Sequence, residues 1–363
     1  MLNKKNSDEK KQKKFKTTGN LSLFAVADTT ETLAKLGNSL NRLESGVDFE
    51  RFRSILEDEL TTDSKSNAGA RPYSYLLMFQ ILILQYCYGL SDEQTEYQIY
   101  DRLSFKNFLK LSDGDKVPDA KTIWAFREKV STLGLEKKLF SLFNEFLKAS
   151  GLILSEGKMV DASFTTVPIQ RNTKEENAKI KAGSGEELWN EPHEKYKKRQ
   201  KDTEARWTKK NNTSHYGYKN HTKVDTASKL ITNYIVTDAS VHDSQALAAL
   251  LSIADKDQTL HADSAYIGEE QEKIITKAGM INKVHEKGAR NRPLTEEQKA
   301  SNRDKSRKRV RVEHVYGFIK NTMSDLSLRC IGLQRAATGV GFINLIYNIF
   351  RVEQLQRITL SKS

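Results

Sequence analysis

The sequence predicts an α/β protein in which an all-α N-terminal domain precedes a mixed sheet flanked by helices. Two observations predict this fold class. Up to about residue 150, apolar side chains recur at steps of three and four residues, as on the buried face of a helix. From about residue 155, short β-rich runs alternate with helical segments, which is typical of a sheet covered by helices.

The composition indicates a polyanionic partner. Of the 363 residues, 59 are Lys or Arg and 47 are Asp or Glu, so the formal net charge is +12. Nucleic acid is the commonest partner of so basic a protein. An anionic membrane is not expected as a partner, because the sequence shows neither a basic amphipathic helix nor a lipidation motif.

The N-terminal half divides into two segments. Residues 1–20 are rich in lysine and predict a disordered arm, which is either a solvated tail or a DNA-grasping extension. Residues 21–150 predict short helices joined by tight turns, with Ser91 at one helix start and Asp119 at another. This pattern favours a helix-turn-helix-like DNA-binding domain, and a plain helical bundle is the alternative.

Apolar segments and thiols indicate the compartment. The most apolar run, residues 75–90, contains Gln80 and Gln85 and is too short to span a bilayer, so it predicts a buried helix. Cys87 and Cys330 both lie among apolar residues and are expected to be buried thiols. The start of the chain lacks the apolar stretch of a signal peptide. These features predict a cytoplasmic protein.

The second half is expected to hold the sheet domain at residues 151–352, followed by a tail at 353–363. The run GKMVDASFTTVPIQ predicts its first strand, HYGYKNHTKVD and LITNYIVTDA a hairpin, and QTLHADSAY and MINKVHEK two further strands. A basic insertion at about 171–210 separates the first strand from the hairpin. Its Lys, Arg and Trp207 suit a DNA-binding surface, and a solvated linker is equally compatible.

Three carboxylates occupy separate elements of this domain. Asp161 lies inside the first strand, Asp263 lies where another strand turns, and Glu313 lies on a basic helix. Each aspartate alone could close a turn, but burying a carboxylate without a partner is unfavourable. Their meeting would create repulsion that a divalent metal relieves, and oxygen-only ligands favour Mg²⁺ or Mn²⁺. Two such ions can support phosphodiester cleavage.

Basic residues surround Glu313. Arg309 and Lys320 share its helix face, which Ser306 extends, and these side chains are expected to contact the DNA backbone. A simple ion pair between Arg309 and Glu313 is the alternative. On the first hairpin strand, Lys219 and His221 share one face of the pleat, which could meet DNA or lie near the metal site.

The residues around the three carboxylates resemble those of a known family. GKMVDAS, LHADSAY and RVRVEHVYGFIK are similar to the catalytic motifs of DDE transposases of bacterial insertion sequences, most of all the insertion-sequence-five family within the insertion-sequence-four-related group. That group has the pattern Y-x2-R-x3-E-x6-K. Arg309, Glu313 and Lys320 match it, whereas Ser306 stands at the tyrosine position. The resemblance extends over residues 20–350.

The resemblance implies a ribonuclease H-like catalytic domain with Asp161 on its first strand, Asp263 on its fourth and Glu313 on the helix after its fifth. It implies binding to double-stranded DNA, namely terminal inverted repeats and a target, with a homodimer in the complex. It further implies Mg²⁺-dependent strand cleavage and strand transfer by two-metal phosphoryl transfer. The alternatives are a ribonuclease H-like nuclease without strand transfer and a domesticated, non-catalytic DNA-binding protein.

Overall fold

The computed structural model describes residues 24–61, 71–112, 114–153, 156–210, 212–288, 293–323 and 326–360. The predicted basic arm at residues 1–20 lies outside these ranges. No helix within them combines the length and the apolar character that crossing a membrane requires.

The described N-terminal part is helical, as predicted. Its α-helices are α1 (Ala25–Leu36), α2 (Ser39–Gly46), α3 (Arg53–Leu60), α4 (Tyr75–Tyr88), α5 (Asp92–Asp101), α6 (Leu103–Leu109), α7 (Ala120–Thr132) and α8 (Leu135–Ala149). Ser91 caps α5 through a reciprocal bond pair with Gln94, and Asp119 caps α7 by accepting from the Thr122 N–H. Helix α4, the predicted buried helix, ends at Gly89 in the left-handed conformation (φ 61°).

The described strands form one mixed sheet. They are β1 (Gly157–Thr166), β2 (Arg206–Lys210), β3 (Thr213–Asp225), β4 (Ile231–Asp238), β5 (Thr259–His261) and β6 (Ile281–Asn282). Strand β3 pairs antiparallel with β1, β2 and β4, whereas β5 lies parallel to both β1 and β6. Apart from β2, which belongs to the insertion, the order β4–β3–β1–β5–β6 is that of a ribonuclease H-like sheet. The predicted β3–β4 hairpin is confirmed.

The remaining α-helices pack on the sheet or lie in the insertion. They are α9 (Lys174–Lys181), α10 (Lys195–Gln200), α11 (Leu247–Leu250), α12 (Glu269–Lys277), α13 (Glu296–Thr322) and α14 (Leu333–Leu360). Helices α9 and α10 lie in the predicted basic insertion, where Ile180, Leu188 and Trp189 form a small apolar cluster of their own. The insertion is therefore a folded segment, and its strand β2 extends the sheet.

One hydrophobic core joins the two halves of the molecule. Helix α14 contacts α2, α4, α7 and α8 on the N-terminal side and β3 and β4 on the sheet side. The largest core cluster consequently contains residues of both halves, from Leu40 to Val352. The helix extends to Leu360, through most of the segment predicted as a tail at 353–363. Cys87 is buried and Cys330 is partly buried, and both are free thiols.

Candidate active site

Asp161 lies inside β1, where the antiparallel neighbour β3 sets Thr222 opposite it. Its carboxylate is partly buried, and its Oδ1 accepts a hydrogen bond of 2.9 Å from the Ala162 N–H. Burial raises the pKa of Asp161 to about 6, and the negative charge of Asp263 acts in the same direction. The Ala162 N–H and the charge of Arg309 oppose this rise. The charged form of Asp161 is therefore destabilised, and a bound cation would stabilise it.

Asp263 follows β5 at the position equivalent to that of Asp161. The parallel register of β1 and β5 pairs Met159 with His261, and each aspartate lies two residues beyond that pair. Because side chains two residues apart point to the same side of a sheet, this register brings the two carboxylates together. Asp263 also fixes the chain after the strand, since its Oδ1 accepts from the Ala265 N–H at 2.9 Å.

Glu313 occupies a different environment. Helix α13 packs on the sheet through Val312, Val315, Tyr316 and Ile319, whereas the Glu313 side chain is 58% exposed. Its Oε1 lies 3.6 Å from Nη2 of Arg309, the same guanidinium that acts on Asp161. Among the described residues, no three His, Cys, Asp or Glu side chains are grouped closely enough to hold a metal ion together. The structure brings Asp161 and Asp263 together and leaves Glu313 on the adjacent helix surface.

Tyr316 attaches α13 to the strand that carries Asp161. Its buried hydroxyl lies 3.2 Å from the carbonyl oxygens of Asp161 and Asn220 and 2.7 Å from Oγ1 of Thr222. Helix and strand are thereby held in a fixed relation one turn from Glu313. Nothing in the sequence pattern distinguishes Tyr316 from an ordinary core tyrosine, so this positioning role was missed.

Tyr266 is buried beside the two aspartates. The side chain is 1% exposed, and its hydroxyl has no hydrogen-bond partner among the described residues. Burial raises the pKa of Tyr266 well above its ordinary value, and the charges of Asp161, Asp243 and Asp263 act in the same direction. The phenol is therefore neutral and can donate a hydrogen bond to a negatively charged neighbour.

Ser306, at the family's tyrosine position, contacts protein. Its Oγ lies 2.9 Å from Nε2 of His285, and Nδ1 of His285 lies 2.9 Å from the Ala262 carbonyl oxygen. Since a carbonyl oxygen only accepts, Nδ1 carries the proton in this contact. Ser306 and His285 thus hold the backbone immediately before Asp263. His285 is a second positioning residue that the sequence did not reveal.

The predicted DNA contacts at Lys219 and His221 require correction. Both side chains are buried, because β3 is an interior strand of the sheet and its residues from Tyr216 to Asp225 are buried on both faces. Nζ of Lys219 donates to the Val241 carbonyl at 2.7 Å and to the Asp243 carboxylate at 2.8 Å. Burial lowers the pKa of His221 to about 4, so that its ring is uncharged at neutral pH. Neither side chain reaches a surface that could meet DNA.

Cationic and aromatic side chains border the aspartates. Lys210, at the end of β2, lowers the pKa of Asp161 and lies 3.7 Å from the Asp243 carboxylate. Next to it, the rings of Phe164 and His215 stack with centroids 4.0 Å apart. Trp207, on the same strand as Lys210, is 47% exposed. On α13, Lys320 is exposed two turns beyond Glu313.

Fold and site together define a ribonuclease H-like protein with paired acidic side chains at the centre of its sheet. The model of the Transposase DDE domain matches residues 159–349, more than half of the chain, and the chain belongs to this family. A second model, Transposase domain (DUF772), matches residues 28–129 in the helical part.

One solved structure is similar over most of the chain. Its title is "Cryo-EM structure of piggyBac transposase synaptic complex with hairpin DNA (SNHP)". The sequences are 11% identical, and the match covers 86% of this chain and 73% of that chain with a TM-score of 0.43.

Proposed function

We propose that the protein is the DNA transposase of an insertion sequence, which cleaves DNA at the ends of its element and joins those ends to a target. The observation that carries this proposal is the placement of Asp161 and Asp263 at equivalent positions of two parallel strands, next to Arg309. Membership of the DDE family and the net charge of +12 support it.

The paired carboxylates fit the divalent ions that the family generally uses. Their donors are all oxygens, which Mg²⁺ and Mn²⁺ prefer, and each negative charge disfavours the other until a cation arrives. Asp161 and Asp263 would hold two ions, with Glu313 as a third ligand. Among the described residues, Glu313 forms an ion pair with Arg309 alone, and this exposed pair is weak enough to let the Glu313 side chain turn. When bound, the ions activate an attacking oxygen and stabilise a leaving one.

The chain's other side chains bind and orient the substrate. Arg309 is 26% exposed, pairs with Glu313 and acts on the charge of Asp161, so it is suited to a phosphate at the cleaved bond. Lys320 is a second phosphate contact further along α13. Tyr316 keeps this helix at a fixed distance from β1, and Ser306 holds the loop of Asp263 through His285. The substrate is thus positioned by rigid elements.

Two displacements at phosphorus follow. In the first, a water oxygen bonds to the phosphorus at the element end, and the 3′ oxygen leaves as a free hydroxyl. In the second, that hydroxyl oxygen bonds to a target phosphorus and the target's own 3′ oxygen leaves. Both steps are in-line displacements. The first hydrolyses one phosphodiester, whereas the second forms one phosphodiester for the one it breaks, so the joining requires no external energy source.

Recognition of the terminal inverted repeats is assigned to the helical N-terminal part. Helices α5 and α7 pack together, and the Glu96 side chain accepts a hydrogen bond from the Ala120 N–H at the start of α7. Tyr97, Tyr100 and Trp124 remain largely exposed on these helices. Such exposed aromatic side chains are typical of an interaction surface. A homodimer would hold the two ends of one element.

Membership of the insertion-sequence-five family is proposed on the pattern in α13. Arg309, Glu313 and Lys320 keep its spacing along one face of the helix. Ser306 departs from it, and its bond to His285 gives this position a structural use in place of a DNA contact.

The test is a cleavage and joining assay with labelled element ends, a target plasmid and Mg²⁺. The wild-type protein is expected to release 3′ ends and to join them to the plasmid. Asp263→Ala is expected to abolish both reactions while retaining binding to the ends. Full cleavage by this variant would overturn the assignment.

The same assay separates the two alternatives. A nuclease would cleave the ends and leave the plasmid unjoined. A non-catalytic DNA-binding protein would bind the ends and cleave nothing under any divalent ion. The paired aspartates favour an enzyme over such a protein, because a disused site has no physical reason to keep two mutually repelling acids.

A further inference from the structure

The turn between β3 and β4 is unusually well fixed. Oδ1 of Asp225 accepts from the Ala227 N–H (3.1 Å), the Ser228 N–H (2.8 Å) and the Ser228 hydroxyl (2.9 Å). Its Oδ2 pairs with the buried Lys158 at 3.0 Å. Lys229 follows in the left-handed region, with φ of 62°. A single aspartate therefore determines the path of the whole turn.

Helices α13 and α14 hold the same turn from outside. The Thr226 carbonyl accepts from Nη1 of Arg311 at 3.0 Å, and the Ser228 carbonyl accepts from Nε of Arg351 at 2.6 Å. The Lys229 carbonyl accepts from the Tyr347 hydroxyl at 2.9 Å. These hydrogen bonds to three of its carbonyl groups fix the turn, and with it the backbone of Lys229.

Three cations converge here without carboxylate partners. Within the described part of the chain, Lys229, Arg311 and Arg351 form no ion pair with an acidic side chain. Partial burial lowers the pKa of Lys229, and the charges of Arg351 and Arg311 lower it further. Like charges brought together on a rigid frame are unfavourable unless an anion joins them.

A cleft of about 550 Å³ opens beside these cations. Its walls include Lys229, Arg351, His314 and Tyr347, and its acidic member, Glu313, pairs with Arg309. Arg311 and Arg309 are two residues apart on α13, which sets them about 200° apart around the helix. Because Glu313 also borders this cleft, the cations at the turn lie beside the candidate active site and extend its basic surface.

We infer that this cleft binds a phosphate group of the DNA backbone. The inference rests on the proposed DNA-binding function and adds a further phosphate contact to it. Lys229 supplies three donors, and Arg351 offers the guanidinium hydrogens left over from its bonds to Ser228 and Gln354. DNA is the occupant because it presents the row of phosphates that a chain of net charge +12 attracts.

The test measures binding of a labelled DNA duplex to the full chain over a series of salt concentrations without divalent ions. The variant is Lys229→Asn, because asparagine tolerates a positive φ and the lysine side chain makes no hydrogen bond in the described structure. Loss of one phosphate contact lowers the slope of log K against log salt by about 0.9 and weakens binding about fivefold at roughly 0.15 M salt.

Lys273→Gln is the matched control. Lys273 is exposed on α12, and its removal changes the net charge equally, so it is expected to leave the slope unchanged. Equal melting temperatures of the two variants and the wild type establish that the fold is intact. A Lys229→Asn slope equal to that of the wild type overturns the inference, as does an equal loss in both variants.

The readout is independent of catalysis. A chain that binds DNA with the predicted Lys229 dependence but never cleaves would refute the transposase and leave this contact standing. A chain that cleaves and joins DNA with an unchanged slope in Lys229→Asn would do the reverse.

Discussion

The sheet and helix α13 supply the acidic residues in different ways. The backbone pairing of β1 with β5 positions Asp161 and Asp263. Each aspartate lies two residues beyond the paired Met159 and His261, so the register of the two strands keeps them close together. Glu313 is positioned by its own exposed side chain and one ion pair at 3.6 Å. Strand register therefore presets two of the three carboxylates, whereas the helix contributes one that substrate or metal has to orient.

This difference predicts that Glu313 matters for activity and hardly at all for stability. Glu313→Gln is expected to lower strand cleavage by about 10³-fold or more, as removal of a primary catalytic group does. The exposed ion pair with Arg309 contributes only a few tenths of a kcal/mol, so the free energy of unfolding should change by less than about 0.5 kcal/mol.

Glu297→Gln serves as its control, because Glu297 is exposed on the first turn of the same helix. Cleavage kinetics and urea unfolding of both variants provide the comparison. Cleavage by Glu313→Gln at the wild-type rate would show that Glu313 is not part of the catalytic site.

The attachment of α13 can be weakened without touching a carboxylate. Tyr316→Phe removes the hydroxyl that bridges the Asp161 carbonyl and Thr222, leaving buried acceptors unsatisfied. The expected cost is about 1–3 kcal/mol in the free energy of unfolding. Cleavage should fall as well if the helix must stay in register with β1. Tyr196→Phe, on an exposed tyrosine, should change neither quantity. An unaltered Tyr316→Phe protein would show that packing alone fixes the helix.

The pH dependence of stability tests the burial of Asp161 in the sheet. The pKa of Asp161 is about 6 in the folded protein and 3.8 in its ordinary state. The folded chain therefore holds this proton more tightly, and its stability falls as the pH rises from about 4 to about 6. Asp161→Asn should remove this loss, which is on the order of 1–3 kcal/mol. Urea unfolding across that pH range measures it, and identical pH profiles for the two proteins would contradict the burial argument.

Ser306 gives the smallest expected effect. Ser306→Ala breaks the contact with His285 and should lower the free energy of unfolding by about 0.5–1.5 kcal/mol. Because the serine contacts protein, the salt dependence of DNA binding should stay unchanged. A reduced salt slope would instead place Ser306 on the DNA, as the family's pattern predicts.

Much of the architecture was predictable from periodicity. The helical N-terminal part, the first strand with Asp161, the hairpin and the cap at Ser91 all follow local rules that the structure obeys. The insertion was harder, because its short helices and its cluster around Trp189 are too small to leave a periodic pattern.

Sequence pattern was least informative where long-range packing decides the surroundings of a side chain. Alternation along β3 placed Lys219 and His221 on one face, but it could not reveal that both faces of this interior strand are covered. In the same way, helix periodicity aligned Ser306 with Arg309 and Glu313 without showing that His285 approaches from another segment. Partners distant in sequence decide such roles, and spacing does not encode them.

The most direct test of the central claim is anomalous diffraction from crystals of the protein bound to an element end and soaked in Mn²⁺. The account predicts manganese peaks in contact with the carboxylates of Asp161 and Asp263, with the Glu313 side chain turned towards them. Manganese bound elsewhere, with both aspartates free of metal while the same crystals cleave their DNA, would contradict it.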